Sequence, residues 1–146
     1  MAFGELVGEL KAKTTSTKVQ PFEDSGQSVR LEFNWSADQS GRIRGTMLGT
    51  TYVVTAPDRT ATSKGYGMIT TSDGDLITVE AFSVTLPPSA NGSAKFRGIA
   101  YSRTSSQKYE WVNTTPLHMK ANRILRDFRS RFGNGSSRRS PAARTF

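Results

Sequence analysis

Ser105-Ser106-Gln107-Lys108 matches S-x-x-K, a spacing that on a helix sets a serine hydroxyl one turn from a lysine amine. That is the arrangement of a serine nucleophile with a lysine base. The flanking residues argue against it. They alternate with period two rather than at helical steps, no Lys-Thr-Gly occurs, and the only S-x-N match is Ser89-Ala90-Asn91. The segment reads as a polar hairpin between two strands. Ser/His/Asp chemistry would need His118, the single histidine, as base. It sits between Leu117 and Met119 at an element boundary, and no G-x-S-x-G elbow is present. With no cysteine, disulfides and thiolate chemistry are excluded, and one histidine excludes a multi-histidine metal site within one chain. Neither G-x-G-x-x-G nor G-x-x-x-x-G-K occurs, so no cofactor is expected.

Carboxylates are the remaining acid or base. Glu32, Glu80 and Glu110 lie in strand-like runs, and one facing inward beside Arg97 or Arg103 would form a polar cavity floor with a shifted pKa. Placement on a solvated face is the better reading, since Glu32 opposes the apolar side of its own strand. The candidate ligand-lining set is Trp35, Tyr52, Arg97, Tyr101, Arg103, Glu110 and Trp111, with ordinary packing or a subunit contact as the competing role for the aromatics.

The elements that would position these residues are strands. In Val29-Arg30-Leu31-Glu32-Phe33-Asn34-Trp35 every odd position is apolar and every even one polar, the mark of a half-buried strand. Ala37 to Gly41 reads as a hairpin loop. Arg42 to Thr55, Thr60 to Thr71, Leu76 to Leu86 and Ala94 to Arg103 follow as strands, with internal glycines at 45, 49, 65, 67 and 98 suited to bends. Ser72-Asp73-Gly74-Asp75 is the strongest hairpin signal. Thr104 to Gln107 is the next turn, and Lys108 to Asn113 resumes the extended pattern. Glu5 to Lys13 and Thr17 to Phe22 are weaker strands. These make about eight strands with short connections, and even spacing favours a closed antiparallel barrel over a sandwich.

From Leu117 the period changes. Leu117, Ala121, Ile124, Leu125, Phe128 and Phe132 fall near one helical face, with Gly133 as a stop. Pro116 to about Asn122 reads alternatively as a last strand closing the barrel. The expected organisation is a barrel over 1–122, a basic amphipathic helix over 123–132 and a disordered basic tail over 133–146.

The chain has 146 residues and a net charge of +8, unevenly placed. From Lys120 onward eight basic residues face Asp127 alone, a net +7, leaving +1 for residues 1–119. Lys120, Arg123, Arg126, Arg129, Arg131, Arg138 and Arg139 are the candidate contacts to nucleic acid or another acidic surface. An equal competitor is a helix packed on the barrel with a solvated arginine face. No apolar run approaches a membrane span and the N-terminus does not read as a signal peptide, so the four sequons are taken as chance and a cytoplasmic location is expected.

Gly41-Arg42-Ile43-Arg44-Gly45, then Gly65-Tyr66-Gly67-Met68-Ile69-Thr70-Thr71-Ser72-Asp73-Gly74-Asp75, Phe96-Arg97-Gly98, Thr104-Ser105-Ser106 with Lys108, and Trp111-Val112-Asn113 form a recurring pattern of turns and glycines. Over roughly residues 29–114 it resembles the uncharacterised prokaryotic barrels related to allene oxide cyclase and dirigent proteins. The resemblance implies a small calycin-like barrel, often oligomeric, that holds or guides an apolar small molecule in its cavity. It carries over no individual site residue, and the basic extension after Pro116 departs from it. The expectation is an all-β, eight-stranded antiparallel barrel with a C-terminal basic helix. Its leading role is non-catalytic or small-molecule binding, as a candidate homo-oligomer. The alternatives are a cyclase-like or coupling-guide activity and a nucleic-acid accessory role through the basic segment. The last predicts an affinity for RNA or DNA that falls steeply with added salt and is lost on truncation at Ala121; electrophoretic mobility shifts over a salt series measure it.

Overall fold

The computed structural model describes residues 7–90 and 93–124, with side chains for 7–90 and 95–119. Seven strands, β1 (Gly8–Val19), β2 (Val29–Gly41), β3 (Gly45–Thr55), β4 (Ala61–Thr71), β5 (Leu76–Thr85), β6 (Ser93–Arg103) and β7 (Leu117–Ile124), form one antiparallel sheet whose spatial order is chain order. A 3₁₀ helix, Gln107–Asn113, interrupts this meander between β6 and β7.

Register follows from side-chain period. Ala12, Ala37, Met47, Ile69 and Ile77 are successive cross-strand partners from β1 to β5, so they form one apolar row on one face. The next row on that face is Trp35, Gly49, Gly67, Val79 and Ser102. Then come Phe33, Thr51, Gly65, Ala81, Ala100 and Leu117, and after them Leu31, Val53, Ser63, Ser83, Gly98 and Met119. Among the described side chains, every buried strand residue lies on this face. A single sheet can bury one face without a second layer only by curling around it. Curling crowds the concave side, and the small residues above are what that crowding requires.

Two features fix this curvature locally. The Trp35 indole lies against Gly49, where any Cβ would overlap its ring, and its Nε1 donates to Thr51 Oγ1 at 2.9 Å. In the β4–β5 hairpin Gly74 takes φ +89°, the left-handed conformation the Asp-Gly turn needs, and its N–H donates to Thr71 O at 2.9 Å. The 3₁₀ helix plugs one end of the concave face. Tyr109 and Val112, three residues apart and so on one side of a 3₁₀ helix, join Ala37, Ile43, Met47, Ile69 and Ile77 in the core. Ile77 is fully buried there.

Several expectations are corrected. The sheet is not closed into an eight-stranded barrel, nor is it a two-sheet sandwich: its ladder runs from β1 to β7 and ends. Glu5 to Lys13 and Thr17 to Phe22 are not two strands, because β1 runs through Gly8–Val19 with a register shift between Thr14 and Ser16. Lys108 to Asn113 is not extended. Its apolar alternation gives way to the 3₁₀ helix because Tyr109 and Val112 both reach the core. With an odd strand count in an antiparallel meander, β1 and β7 run in the same direction, and an antiparallel closure has no partner to use. Ala37 to Gly41 continues β2, and the turn falls at 42–44 with Ile43 tucked inward at 2% exposure. Residues 117–124 are strand, which settles the alternative at Pro116 to Asn122 and moves the expected helix start at 123 into β7. The rest of the expected helix and the tail lie outside the described residues.

Gly49→Ala drives a methyl into the Trp35 ring and displaces the bond to Thr51. It is expected to destabilise the fold by about 1–3 kcal/mol, read as a lower urea midpoint at unchanged m-value.

Candidate functional site

The segment with S-x-x-K spacing is held against the β4–β5 hairpin by its polar side chains. Lys108 Nζ donates to Asp73 Oδ2, and Tyr109 Oη donates to the same oxygen at 2.8 Å. Ser106 Oγ donates to Asp75 Oδ2 at 2.9 Å and Thr104 Oγ1 to Leu76 O at 2.7 Å. Asn113 closes the segment on itself, accepting from Thr104 N at 2.8 Å and donating to Thr104 O at 3.0 Å. The hydrogen bond from Lys108, followed by that from Tyr109, holds the Asp73 carboxyl below its ordinary value of 3.8. The hydrogen bond to Asp73 in turn raises the Lys108 ammonium above 10.5. A lysine held protonated is a poor base, so this cluster is a clamp that seats the 3₁₀ plug.

Among the described residues, the concave face beyond the plug is open to one side. Leu31, Thr51, Val53, Ser63, Phe96, Leu117 and Met119 are half-buried along it, around the buried Phe33, Ser83 and Ala100. Ser63 and Ser83 hydroxyls bond to each other across β4 and β5, and the Trp35–Thr51 bond borders the plugged half. Among the described side chains, register places every Asp, Glu, Lys, Arg and His of the strands on the opposite, convex face. The concave surface formed by the described side chains is therefore neutral, apolar and hydroxyl-bearing, while at its far end the register sets Arg123 of β7 opposite Ala94 on this face. It can hold an uncharged molecule, and its described side chains offer no charged group for proton transfer.

The expected ligand-lining residues are divided by this geometry. Trp35 is on the concave face. Tyr52, Arg97 and Tyr101 are exposed on the convex face, with Arg97 donating to Phe96 O at 2.8 Å. Arg103 leaves β6 on that side and donates to Ser102 O and Asn113 O at 3.1 and 2.6 Å. Glu110 is exposed on the 3₁₀ helix, and Trp111 packs against the core under the Arg42 guanidinium, 4.2 Å from its ring centre. They do not converge. Lys120 and Arg123 fall in β7, and Arg126, Arg129, Arg131, Arg138 and Arg139 lie outside the described residues.

Sequence reading missed the size and placement of the convex apolar surface. Leu48, Tyr52, Tyr66, Met68, Leu76, Phe82, Val84 and Tyr101 are all exposed there, and a shallow depression of about 450 Å³ lies between Asn34, Thr50, Tyr66, Leu48 and Met68. The signal was present in Ser63-Lys64-Gly65-Tyr66-Gly67-Met68, where the small residues occupy the concave positions and the large apolar ones the convex. Among the described residues, no three His, Asp or Glu side chains gather as a metal site would need, and no helix is long and apolar enough to cross a membrane.

The fold and surfaces define a mostly-β protein built on one curled antiparallel meander. A protein of unknown function from Clostridium acetobutylicum ATCC 824 shares it, with a TM-score of 0.73 and 21% identity over 82% of this chain and 88% of that one. An enzyme from Penicillium herquei matches with a TM-score of 0.52 and 20% identity, over 80% and 85%. At these identities the likeness is one of fold. No protein-family model and no curated protein sequence matches the chain.

The Asp73 clamp carries a pH signature. A carboxyl depressed in the folded state contributes stability that is present above its unfolded value and is lost as pH falls through the folded one. Asp73→Asn should therefore lower the urea midpoint at neutral pH and flatten its fall below about pH 4, the unfolded carboxyl range. Urea titrations at matched ionic strength from neutral to acid pH test this; parallel acid limbs in both proteins would refute it.

Proposed function

We propose that the protein is a non-catalytic binding protein for a neutral, apolar small molecule, seated on the open half of the concave face against Phe33, Val53, Ser63 and Ser83. The observation that carries this reading is the charge segregation of the sheet. A concave surface of half-buried apolar groups and hydroxyls, with the charged side chains described on the strands all on the far side, favours an uncharged ligand with one or two hydrogen-bonding groups. The resemblance to the barrels related to allene oxide cyclase and dirigent proteins supports a small-molecule role on the same grounds of fold. A cyclase-like or coupling activity finds less support, because acid–base catalysis needs a titratable group at the reacting atoms and the described concave side chains include none. Nucleic-acid binding rests on the basic segment, most of which lies outside the described residues.

Gly65 provides the test. It lies at the centre of the open half, and a Cβ there has Thr51 Oγ1 at 3.3 Å as its nearest neighbour, then Thr50 O at 3.9 Å and Ala81 Cβ at 4.0 Å. The Cβ of Gly65→Leu therefore meets no backbone atom closer than 3.9 Å, and the rest of the side chain extends into the trough. Wild type is expected to take up a neutral apolar dye such as Nile red saturably, with a change in Trp35 emission in the Trp111→Phe background. Gly65→Leu, folded by circular dichroism, is expected to lose at least about tenfold in affinity, a difference of about 1.4 kcal/mol. Absence of saturable binding, or binding indifferent to Gly65→Leu, would overturn the proposal.

A further inference from the structure

The convex face of β3 to β6 inverts the usual economy of a solvated sheet. Tyr52 and Phe82 stand on one register row and Tyr66 and Tyr101 on the next, flanked by Leu48, Met68 and Val84, and each is more than two-fifths exposed. Tyr52 and Tyr66 already meet edge to face, with ring centres 6.5 Å apart and planes at 73°. A contiguous exposed apolar surface of this kind on a globular chain marks a contact with another macromolecule. Its aromatic content matches the anchors of protein interfaces.

The charges on this face say which macromolecule. Lys64 and Glu80 stand among the rings. They pair at 3.4 Å, and the Lys64 ammonium lies 5.3 Å from the ring centres of both Tyr66 and Phe82. Arg97, opposite Val84, and Arg103, opposite Thr78, stand at the patch margin, whereas its aromatic centre is neutral and gives phosphate backbones and anionic lipid headgroups nothing to neutralise there. One positive and one negative group side by side are also self-complementary. Lys64 pairs in register with Phe82, and Tyr66 with Glu80, so the two charged positions sit diagonally across β4 and β5. A two-fold axis lying in the contact plane and passing midway between them, perpendicular to the line that joins them, sets Lys64 of each copy over Glu80 of the other. The aromatic side chains around the pair then pack face to face, as the inner surfaces of two stacked sheets do.

We infer that the convex face of β3 to β6 is an isologous dimer interface, with a second copy of this chain as its occupant and the Lys64–Glu80 pairs exchanged across it. The concave face stays free on both copies, so dimerisation and ligand binding are separable.

Sedimentation velocity of the full chain over a wide concentration range tests this. Wild type is expected to sediment as a dimer. Phe82→Arg and Tyr66→Glu change exposed side chains and leave the concave core intact; each is expected to weaken dimerisation by more than about tenfold, the loss expected of a central aromatic anchor. Lys64→Glu and Glu80→Lys each place like charges in register and are expected to be monomeric alone. Mixed in equal amounts they are expected to form a heterodimer, because each then meets its opposite charge across the axis. Wild type that stays monomeric at every concentration would overturn the inference, as would a dimer indifferent to Phe82→Arg and Tyr66→Glu. Failure of the two charge variants to pair would remove the exchanged salt bridges and with them this two-fold.

Discussion

The contact between the Trp35 indole and the bare backbone at Gly49 is the constraint on which the rest of the sheet depends. A seven-stranded meander has too little mass to cover a flat face. It can make a core only by turning one face in on itself, and that brings the side chains of distant strands into the same space. Trp35 takes that space where Gly49 leaves it empty, and the Met47 methyl does the same at Gly67. Large residues on β2 and β3 are accommodated by absent ones on β3 and β4. The concave side is therefore held to small residues over much of its area, and among the described residues the extra material it admits is Ile43 from the β2–β3 turn and the short 3₁₀ plug with Tyr109 and Val112.

This steric limit has a counterpart outside. Period two allows each residue one face only, so a strand that must be small within carries its bulk without. In β4 glycine alternates with tyrosine and methionine. The inversion separates the two surfaces: small and apolar groups on the inside, large apolar groups and the described strand charges on the outside.

Much of the secondary structure was legible because it follows from local alternation and turn chemistry. Leu31, Phe33 and Trp35 announced β2, and Asp73-Gly74 announced the β4–β5 turn. The 3₁₀ helix was not legible, because Tyr109 and Trp111 alternate as a strand would, and only the position of the Asp73 carboxylate and the core beneath Val112 decides against extension. Closure was not legible either, since a single sequence records strand propensity and not which strand ends meet. The candidate site was read least well. Aromatic and charged types were gathered by chemistry, whereas the parity of each position decides the face: Trp35 went inward, while Tyr52, Arg97 and Tyr101 went outward.

Among the described residues nothing pairs with the outer margin of β1, and this has a consequence of its own. A free strand edge is a template onto which any extended chain can add, and an open sheet is at risk of uncontrolled fibrillar growth there. Along β1 the exposed Lys11, Lys13 and Lys18 and the register break at Thr14 and Ser16 interrupt that template. A like strand approaching it would bring lysine against lysine and lose step halfway. At this margin the sheet is thereby protected from growing sideways.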